Sequence, residues 1–405
     1  MGSEVLAQKE TRYRALSGNE AAAQAMRQIE PVVVAAYPIT PQTEIVQLFS
    51  NFVSDGLVRT EFVPVESEHS ALSAVVGAAS SGVRAMTATS SNGLALMFEI
   101  LNIASGLRLP IVMTVVNRAL SAPINIHCDH GDTMGVRDAG WIQLYAENAQ
   151  ETYDNLIQAV RIAEHPAVRL PVMVAVDGFI VSHGIENVEM LDDQTVKTFI
   201  GTFQPDFSLL DPDHIVTIGP LVLQDSYFEI KRLQVEAVEA AYQVITEVGL
   251  DFEKVSGRCY QLVEEYRMEE AETAVVALGS TAGNFKEVVD QFQARGVPVG
   301  LLKLRVFRPF PAEQVRRALA RCRAVAVMDR AHSLSGQGGP LFTEVKAALQ
   351  GTGFPAGSMV NYVYGLGGRE ITLEMAQRVV EDLQKLAKGS EGDQVLPVNY
   401  LGLRE

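Results

Sequence analysis

Two prolines three residues apart stand in Tyr37-Pro38-Ile39-Thr40-Pro41, directly after an apolar run. Proline fixes its own φ and pushes the residue before it toward extended backbone, so Tyr37 and Thr40 are both constrained. A stiff turn of this kind can present the Thr40 hydroxyl to an anionic ligand. It can also be no more than a rigid connection, with Thr43 capping the next helix. Pro64-Val65-Glu66-Ser67-Glu68-His69 places two carboxylates between a strand and a helix. Either can move a proton or hydrogen-bond a cofactor, and either can simply favour the helix N-terminus. Strand alternation puts them on one side, while the turn into the helix can separate them.

Arg118, in Asn117-Arg118-Ala119-Leu120-Ser121-Ala122-Pro123, ends an apolar run. A guanidinium there suits a bidentate grip on a carboxylate or phosphate, or a surface ion pair. Asn125-Ile126-His127-Cys128-Asp129-His130-Gly131-Asp132 gathers metal-type ligands, but too densely for one tetrahedral site. No metal site is expected, and His127, Asp129 and His130 are expected to line a polar pocket. The turns at 279–283 and 335–339 are glycine-rich. Neither is a phosphate-binding fingerprint in context, so both read as tight connections.

These groups need a scaffold. Short apolar runs at 32–37, 62–65, 85–89, 111–116 and 172–176 alternate with helical patterns at 43–54, 69–81, 93–105 and 148–164. A further helix is expected after Asn19, its candidate cap. This alternation predicts an α/β fold with a doubly wound, mostly parallel sheet, whose ligands sit at the carboxyl ends of the strands. Residues 1–200 make the first domain. Residues 201–265 read as a linker with a long helix over 227–248. Residues 266–405 make a second, smaller α/β domain with strands at 273–278, 299–304, 324–328 and 360–364.

The net charge of −16 over 405 residues argues against nucleic acid and anionic membranes as partners. Cys128, Cys259 and Cys322 are scattered, which fits a reducing cytoplasm and no iron–sulfur cluster built from this chain alone. No signal peptide is expected, and no apolar run reaches the roughly 18 residues of a membrane span.

Several runs stand together in order: Gly18-Asn19-Glu20-Ala21-Ala22-Ala23, Tyr37-Pro38-Ile39-Thr40-Pro41, Val65-Glu66-Ser67-Glu68-His69, Thr87-Ala88-Thr89-Ser90-Ser91-Asn92-Gly93, Asn117-Arg118-Ala119-Leu120-Ser121-Ala122-Pro123 and Arg308-Pro309-Phe310-Pro311. Together they resemble the α subunit of 2-oxoacid:ferredoxin oxidoreductases, most closely the pyruvate type. The resemblance implies reversible, coenzyme A-dependent oxidative decarboxylation of a 2-oxoacid, with ferredoxin as electron acceptor, in anaerobic metabolism. It implies thiamine diphosphate shared between subunits, with residues 1–200 as the pyrimidine-binding domain and 266–405 resembling the transketolase C-terminal domain. Mg2+ and [4Fe-4S] clusters are then expected on partners: a β subunit with the diphosphate-binding half, and ferredoxin-like γ and δ subunits.

By the same resemblance Glu68, rather than Glu66, meets the aminopyrimidine, and Thr40 and Arg118 hold the substrate carboxylate. Tyr37, Pro38, Ile39, Asn92 and Arg118 border the cofactor. Some related pyruvate enzymes carry Trp and Asn where this chain has His127 and Cys128. A bulkier or branched-chain 2-oxoacid is therefore an alternative substrate. A non-oxidative thiamine-dependent lyase, a transketolase-like subunit and a non-catalytic assembly subunit are alternative readings of the chain.

Overall fold

The computed structural model describes residues 13–334, 336–354, 357–389 and 396–404. In chain order the first part runs β1 (Tyr13–Ser17), α1 (Gly18–Ile29), β2 (Val33–Ala36), α2 (Thr43–Ser54), β3 (Glu61–Pro64), α3 (Glu68–Ser80), β4 (Ala85–Thr89), α4 (Ser91–Leu96), α5 (Phe98–Gly106) and β5 (Val112–Asn117). It continues with α6 (Gly131–Gly135), β6 (Ile142–Ala146), α7 (Ala149–Glu164), β7 (Val172–Asp177), β8 (Ile185–Glu189) and α8 (Asp193–Ile200). The long α9 (Tyr227–Ser256) follows, then β9 (Val263–Tyr266), β10 (Thr273–Leu278), α10 (Thr281–Gln293), β11 (Val299–Leu304), β12 (Val306–Arg308), α11 (Ala312–Leu319) and β13 (Ala324–Asp329). The chain ends with α12 (Pro340–Leu349), β14 (Met359–Tyr364), α13 (Leu373–Lys388) and β15 (Val398–Leu401).

The first sheet has the order β12-β6-β7-β5-β4-β2-β3, parallel except for β12. Every residue of β4, β5, β6 and β7 is buried, as in a parallel sheet covered on both faces. The second sheet is β15-β14-β13-β10-β11-β9, with β9 antiparallel. The α/β, mostly parallel architecture expected from the alternating pattern is therefore present in both halves.

Several local expectations change. Ser17, not Asn19, caps α1: Ser17 Oγ accepts from Glu20 N at 3.2 Å, and Glu20 Oε2 accepts from Ser17 N at 2.7 Å. The helix expected over 93–105 breaks at Met97, whose N–H is shared between Gly93 O and Leu94 O. That three-residue bond tightens the turn and offsets the axis. β6 is a strand despite the polar Gln143 at its second position, because Gln143 Nε2 donates to Thr133 O at 3.0 Å. β12 leaves the second half of the chain to pair with β6. Phe307 then packs edge-to-face on Tyr145, ring centroids 6.2 Å apart.

The amino-terminal part of α9 is exposed. Its second half is buried through Ala237, Ala241, Val244, Ile245, Val248 and Phe252. Lys303 on β11 is buried among Glu147, Glu151 and Glu264, which its ammonium joins across the two halves. Those three carboxylates thus surround a cation supplied by the chain itself. Among the described residues no helix is long and apolar enough to cross a membrane.

Candidate active site

The carboxyl ends of β2, β3, β4 and β5 lie side by side, and each delivers one of the expected residues. After β2 the turn Tyr37–Pro41 ends in a cis Thr40–Pro41 bond. Gln42 closes it, accepting from Ile39 N through Oε1 and donating its own N–H to Ile39 O. Asn19 is wholly buried and clamps the turn from α1, with Nδ2 donating to Pro41 O at 2.9 Å and Glu44 Oε2 at 3.3 Å. Thr40 and Tyr37 remain exposed at the turn's outer edge.

The turn into α3 separates the two carboxylates. Ser67 caps the helix by accepting from Ser70 N. Glu66 points to solvent and takes the Ser70 hydroxyl, which holds its carboxyl below the usual range. Glu68 turns inward and is buried. Its carboxylate has no hydrogen-bond partner among the described residues. A Cβ on Gly93 would come within 2.7 Å of both Glu68 Oε1 and Thr89 Oγ1. Glycine is therefore required here, because Glu68 and Thr89 pack directly against it. Thr89 Oγ1, buried close to this carboxylate, and Ser90 Oγ on the next residue are also unpartnered. Buried polar atoms without partners are uncommon, and a cluster of them implies a polar guest. An aminopyrimidine, flat and rich in ring nitrogens, fits this donor and acceptor set.

After β4, Ser91 adopts the left-handed region at φ 48°, a strained conformation for a non-glycine residue. Its N–H donates to Asp132 Oδ2 at 3.0 Å and its hydroxyl to Ala119 O at 2.6 Å. Asn92 Oδ1 accepts from Ser121 N at 3.0 Å, tying β4's exit to the loop after β5. Arg118 is buried at the end of β5, with Nη1 donating to Thr40 O at 2.9 Å and Nε to Asn125 O at 3.1 Å. Nη2 has no partner among the described residues. Thr40 and Arg118 thus come together as expected, and one amino group is left for an incoming oxygen.

Asp132 organises this corner. It lies in the crowded 125–132 segment but held no role in the sequence reading. Its carboxylate accepts from Ser91 N, Arg118 N, Asn117 Nδ2 and Thr133 N. Burial nevertheless pushes its pKa up to about 6, against the pull of those donors. The folded state then holds this proton more tightly than the unfolded chain. Asp132 contributes most to stability below about pH 4, and that contribution is lost as pH rises through 6. An Asp132→Asn variant loses this slope. Urea denaturation at pH 4, 5, 6 and 7 is expected to show the wild type losing about 2 kcal/mol relative to the variant across the range. A constant difference would contradict the shift.

The 127–130 loop divides. His127 is exposed and stacks on Phe179, centroids 4.9 Å apart, and Phe179 in turn meets His183 at 4.7 Å. Asp129 is partly buried, with its carboxyl raised by burial, and accepts from Gly131 N. His130 departs from the expected pocket lining. It is buried, with Nε2 2.7 Å from Asp177 Oδ1, and faces the second half of the chain. Asp177 also receives Ser280 N and Oγ, with Arg330 Nε 3.9 Å away. Burial favours the neutral acid, but these positive neighbours and donors overcome it and lower the pKa. Cys128, His130 and Asp177 lie close enough to consider a metal. Arg330 already supplies the positive charge there.

The 279–283 turn therefore serves the contact between domains through Ser280. At the other glycine-rich turn, of which Ser335 lies outside the described residues, Asp329 accepts from Leu341 N and Phe342 N. The chain's own carboxylate thus takes the anion position at the start of α12.

Fold and site together define a two-domain α/β protein that gathers Thr40, Glu68, Asn92 and Arg118 at the carboxyl edge of its first sheet. Residues 24–249 match the family model described as pyruvate flavodoxin/ferredoxin oxidoreductase, thiamine diphosphate-binding. Residues 271–376 match that of the pyruvate:ferredoxin oxidoreductase core domain II. The chain belongs to the pyruvate:ferredoxin oxidoreductase family. It is 57% identical over 393 residues to a pyruvate synthase subunit PorA of Thermotoga maritima, covering 96% of this chain and 98% of that protein. Identity to the PorA of Methanocaldococcus jannaschii is 45%, over 97% of this chain and 98% of the relative. A ketoisovalerate oxidoreductase subunit VorA of Pyrococcus abyssi is 41% identical, over 94% of this chain and 95% of the relative.

Among solved structures, a 2-oxoglutarate:ferredoxin oxidoreductase from Magnetococcus marinus, with 2-oxoglutarate, coenzyme A and succinyl-CoA bound, has the same fold. The TM-score is 0.73 at 21% identity, over 93% of this chain and 66% of that one. A split-gene transketolase, described as an inactive β4 tetramer, matches with a TM-score of 0.55 at 14% identity, over 92% of this chain and all of that one.

Proposed function

We propose that this chain is the α subunit of a heteromeric 2-oxoacid:ferredoxin oxidoreductase, with pyruvate as the favoured substrate. It would supply the pyrimidine-binding half of a shared thiamine diphosphate site. The observation that carries this reading is the buried, unpartnered Glu68 carboxylate, packed against Gly93 close to the unpartnered Thr89 hydroxyl. Residues 1–200 form the pyrimidine-binding domain in this reading, 201–265 the linker with its long helix, and 266–405 the transketolase-like domain. A β subunit brings the diphosphate-binding half, Mg2+ and [4Fe-4S] clusters. Ferredoxin-like γ and δ subunits and ferredoxin complete the electron path, and coenzyme A takes the acyl group. The assembly works in the cytoplasm.

Thiamine diphosphate, when bound, supplies the nucleophilic carbon and the electron sink for loss of CO2. Glu68 would hold the pyrimidine ring through a hydrogen bond to its carboxylate, favouring proton uptake there. Tyr37, Pro38, Ile39 and Asn92 border the ring. Arg118 Nη2 and the Thr40 hydroxyl bind the substrate carboxylate. Two of Arg118's donor atoms are already spent on Asn125 O and Thr40 O. The grip on the leaving carboxylate is therefore limited, which avoids overstabilising the ground state. His127 and Asp129 stand nearest as candidates to sense the substrate side chain, with His130 buried behind them.

A branched-chain substrate is the second reading. It is favoured by the similarity to the ketoisovalerate oxidoreductase subunit and by exposed His127 beside Phe179. The test is reconstitution with the partner subunits, followed by viologen and ferredoxin reduction with pyruvate, 2-oxoisovalerate and 2-oxoglutarate. Pyruvate is expected to give the highest kcat/KM, with reduction dependent on coenzyme A and thiamine diphosphate. A preference for 2-oxoisovalerate would select the second reading. No 2-oxoacid-dependent reduction would overturn both.

A further inference from the structure

Arg118 is held from two sides within its own domain, and one of those holds is itself braced by the second domain. On the Thr40 side, Asn19 fixes the turn from within the first domain. On the other side, Arg118 Nε leans on Asn125 O, within the irregular stretch between β5 and α6. Residues 120–124 of that stretch are exposed. Its return limb rests on a turn of the second domain. Asn125 Nδ2 donates to Gly367 O at 3.1 Å, and Gly368 N donates to Cys128 O at 2.7 Å.

The fit between turn and loop is close. Gly367 and Gly368 have φ values of +62° and +79°, in the left-handed region. A Cβ on Gly367 would lie 2.4 Å from Asn125 Nδ2, and one on Gly368 would lie 2.3 Å from His127 Cβ. Conformation and contact therefore both require glycine at this pair.

We propose that Asn125 and the Gly367–Gly368 turn are positioning elements for Arg118, so that the second domain aims the guanidinium at the substrate carboxylate. This rests on the reading of Arg118 as the carboxylate's partner. Asn125 reaches Arg118 through its main-chain oxygen, so its side chain acts only by fixing the loop. A loop held on one limb alone would let the guanidinium drift, and small misplacements of a binding group are costly.

The test uses the assembled enzyme. Asn125→Asp keeps the Oδ1 acceptor for His127 N, a 2.7 Å bond, but removes the donor to Gly367 O. Its KM for the 2-oxoacid is expected to rise about 10- to 100-fold. Melting temperature and thiamine diphosphate affinity should stay near wild type. Gly368→Ala should act in the same direction from the other domain. In an Arg118→Ala background, Asn125→Asp should add little, because both changes remove the same interaction. A wild-type KM in Asn125→Asp, beside a raised KM in Arg118→Ala, would overturn the positioning role alone. A wild-type KM in Arg118→Ala would overturn the reading of Arg118 and the positioning role with it. A fall in stability and thiamine affinity without a change in KM would mark the contact as merely structural and overturn the proposal.

Discussion

Replacing Glu68 with alanine in the assembled complex is expected to lower turnover by about 10²–10⁴-fold, the usual worth of a positioned proton-transfer partner. The expectation follows from burial. Glu68 sits at the start of α3, buried against Gly93 and close to the unpartnered Thr89 hydroxyl. Nothing in the described chain uses this carboxylate, so removing it costs the fold little. Glu68→Gln keeps the shape and one acceptor oxygen but loses the charge, and should be impaired nearly as much. Glu66→Ala is the control, because Glu66 faces solvent and its carboxylate takes the Ser70 hydroxyl. Reduction assays paired with size-exclusion of the complex separate lost chemistry from lost assembly. Near-normal turnover in an intact Glu68→Ala complex would refute the assignment.

The second large effect is expected at Arg118. Arg118→Ala should lower kcat/KM for the 2-oxoacid by at least about 100-fold. Hydrogen bonds to a charged group are worth roughly 1.5–3 kcal/mol each, and the variant also leaves the Thr40 and Asn125 carbonyls without their donor. Arg118→Lys should not restore activity. Arginine serves Asn125 O through Nε and Thr40 O through Nη1, and still offers Nη2. A lysine has one nitrogen and cannot span that fork. Thr40→Val should be milder, because its main-chain oxygen still receives Arg118. Saturation kinetics with varied 2-oxoacid and fixed coenzyme A would reveal the difference, and an unchanged KM in Arg118→Ala would refute the carboxylate role.

Much of this was legible locally. Prolines 38 and 41 announced a stiff turn because their effect acts on φ and on the preceding residue. The strand at 172–176 stood out because a parallel strand buried on both faces is an unbroken apolar run. Thr40 and Arg118 stood out because each follows an apolar run, where open α/β sheets bind ligands, and the family resemblance added Glu68 and the roles of all three.

The tertiary structure decided what those residues touch. Residue type and spacing alone could not separate Glu66 from Glu68, a choice made by the family resemblance, because their directions depend on how Ser67 caps α3. Asn19 read locally as a cap, whereas the fold uses it to clamp Pro41, 22 residues away. Asp132 looked like one more polar residue in a loop until the fold closed a separation of 41 positions to bring Ser91 N to it. His130 turned inward because Asp177 waits there, 47 residues on. The link from Asn125 to Gly367 spans 242 positions. Turn chemistry and burial patterns act over a few residues and can be read along the chain. Hydrogen bonds between distant elements depend on how sheets and domains pack, and only the folded chain brings those partners together.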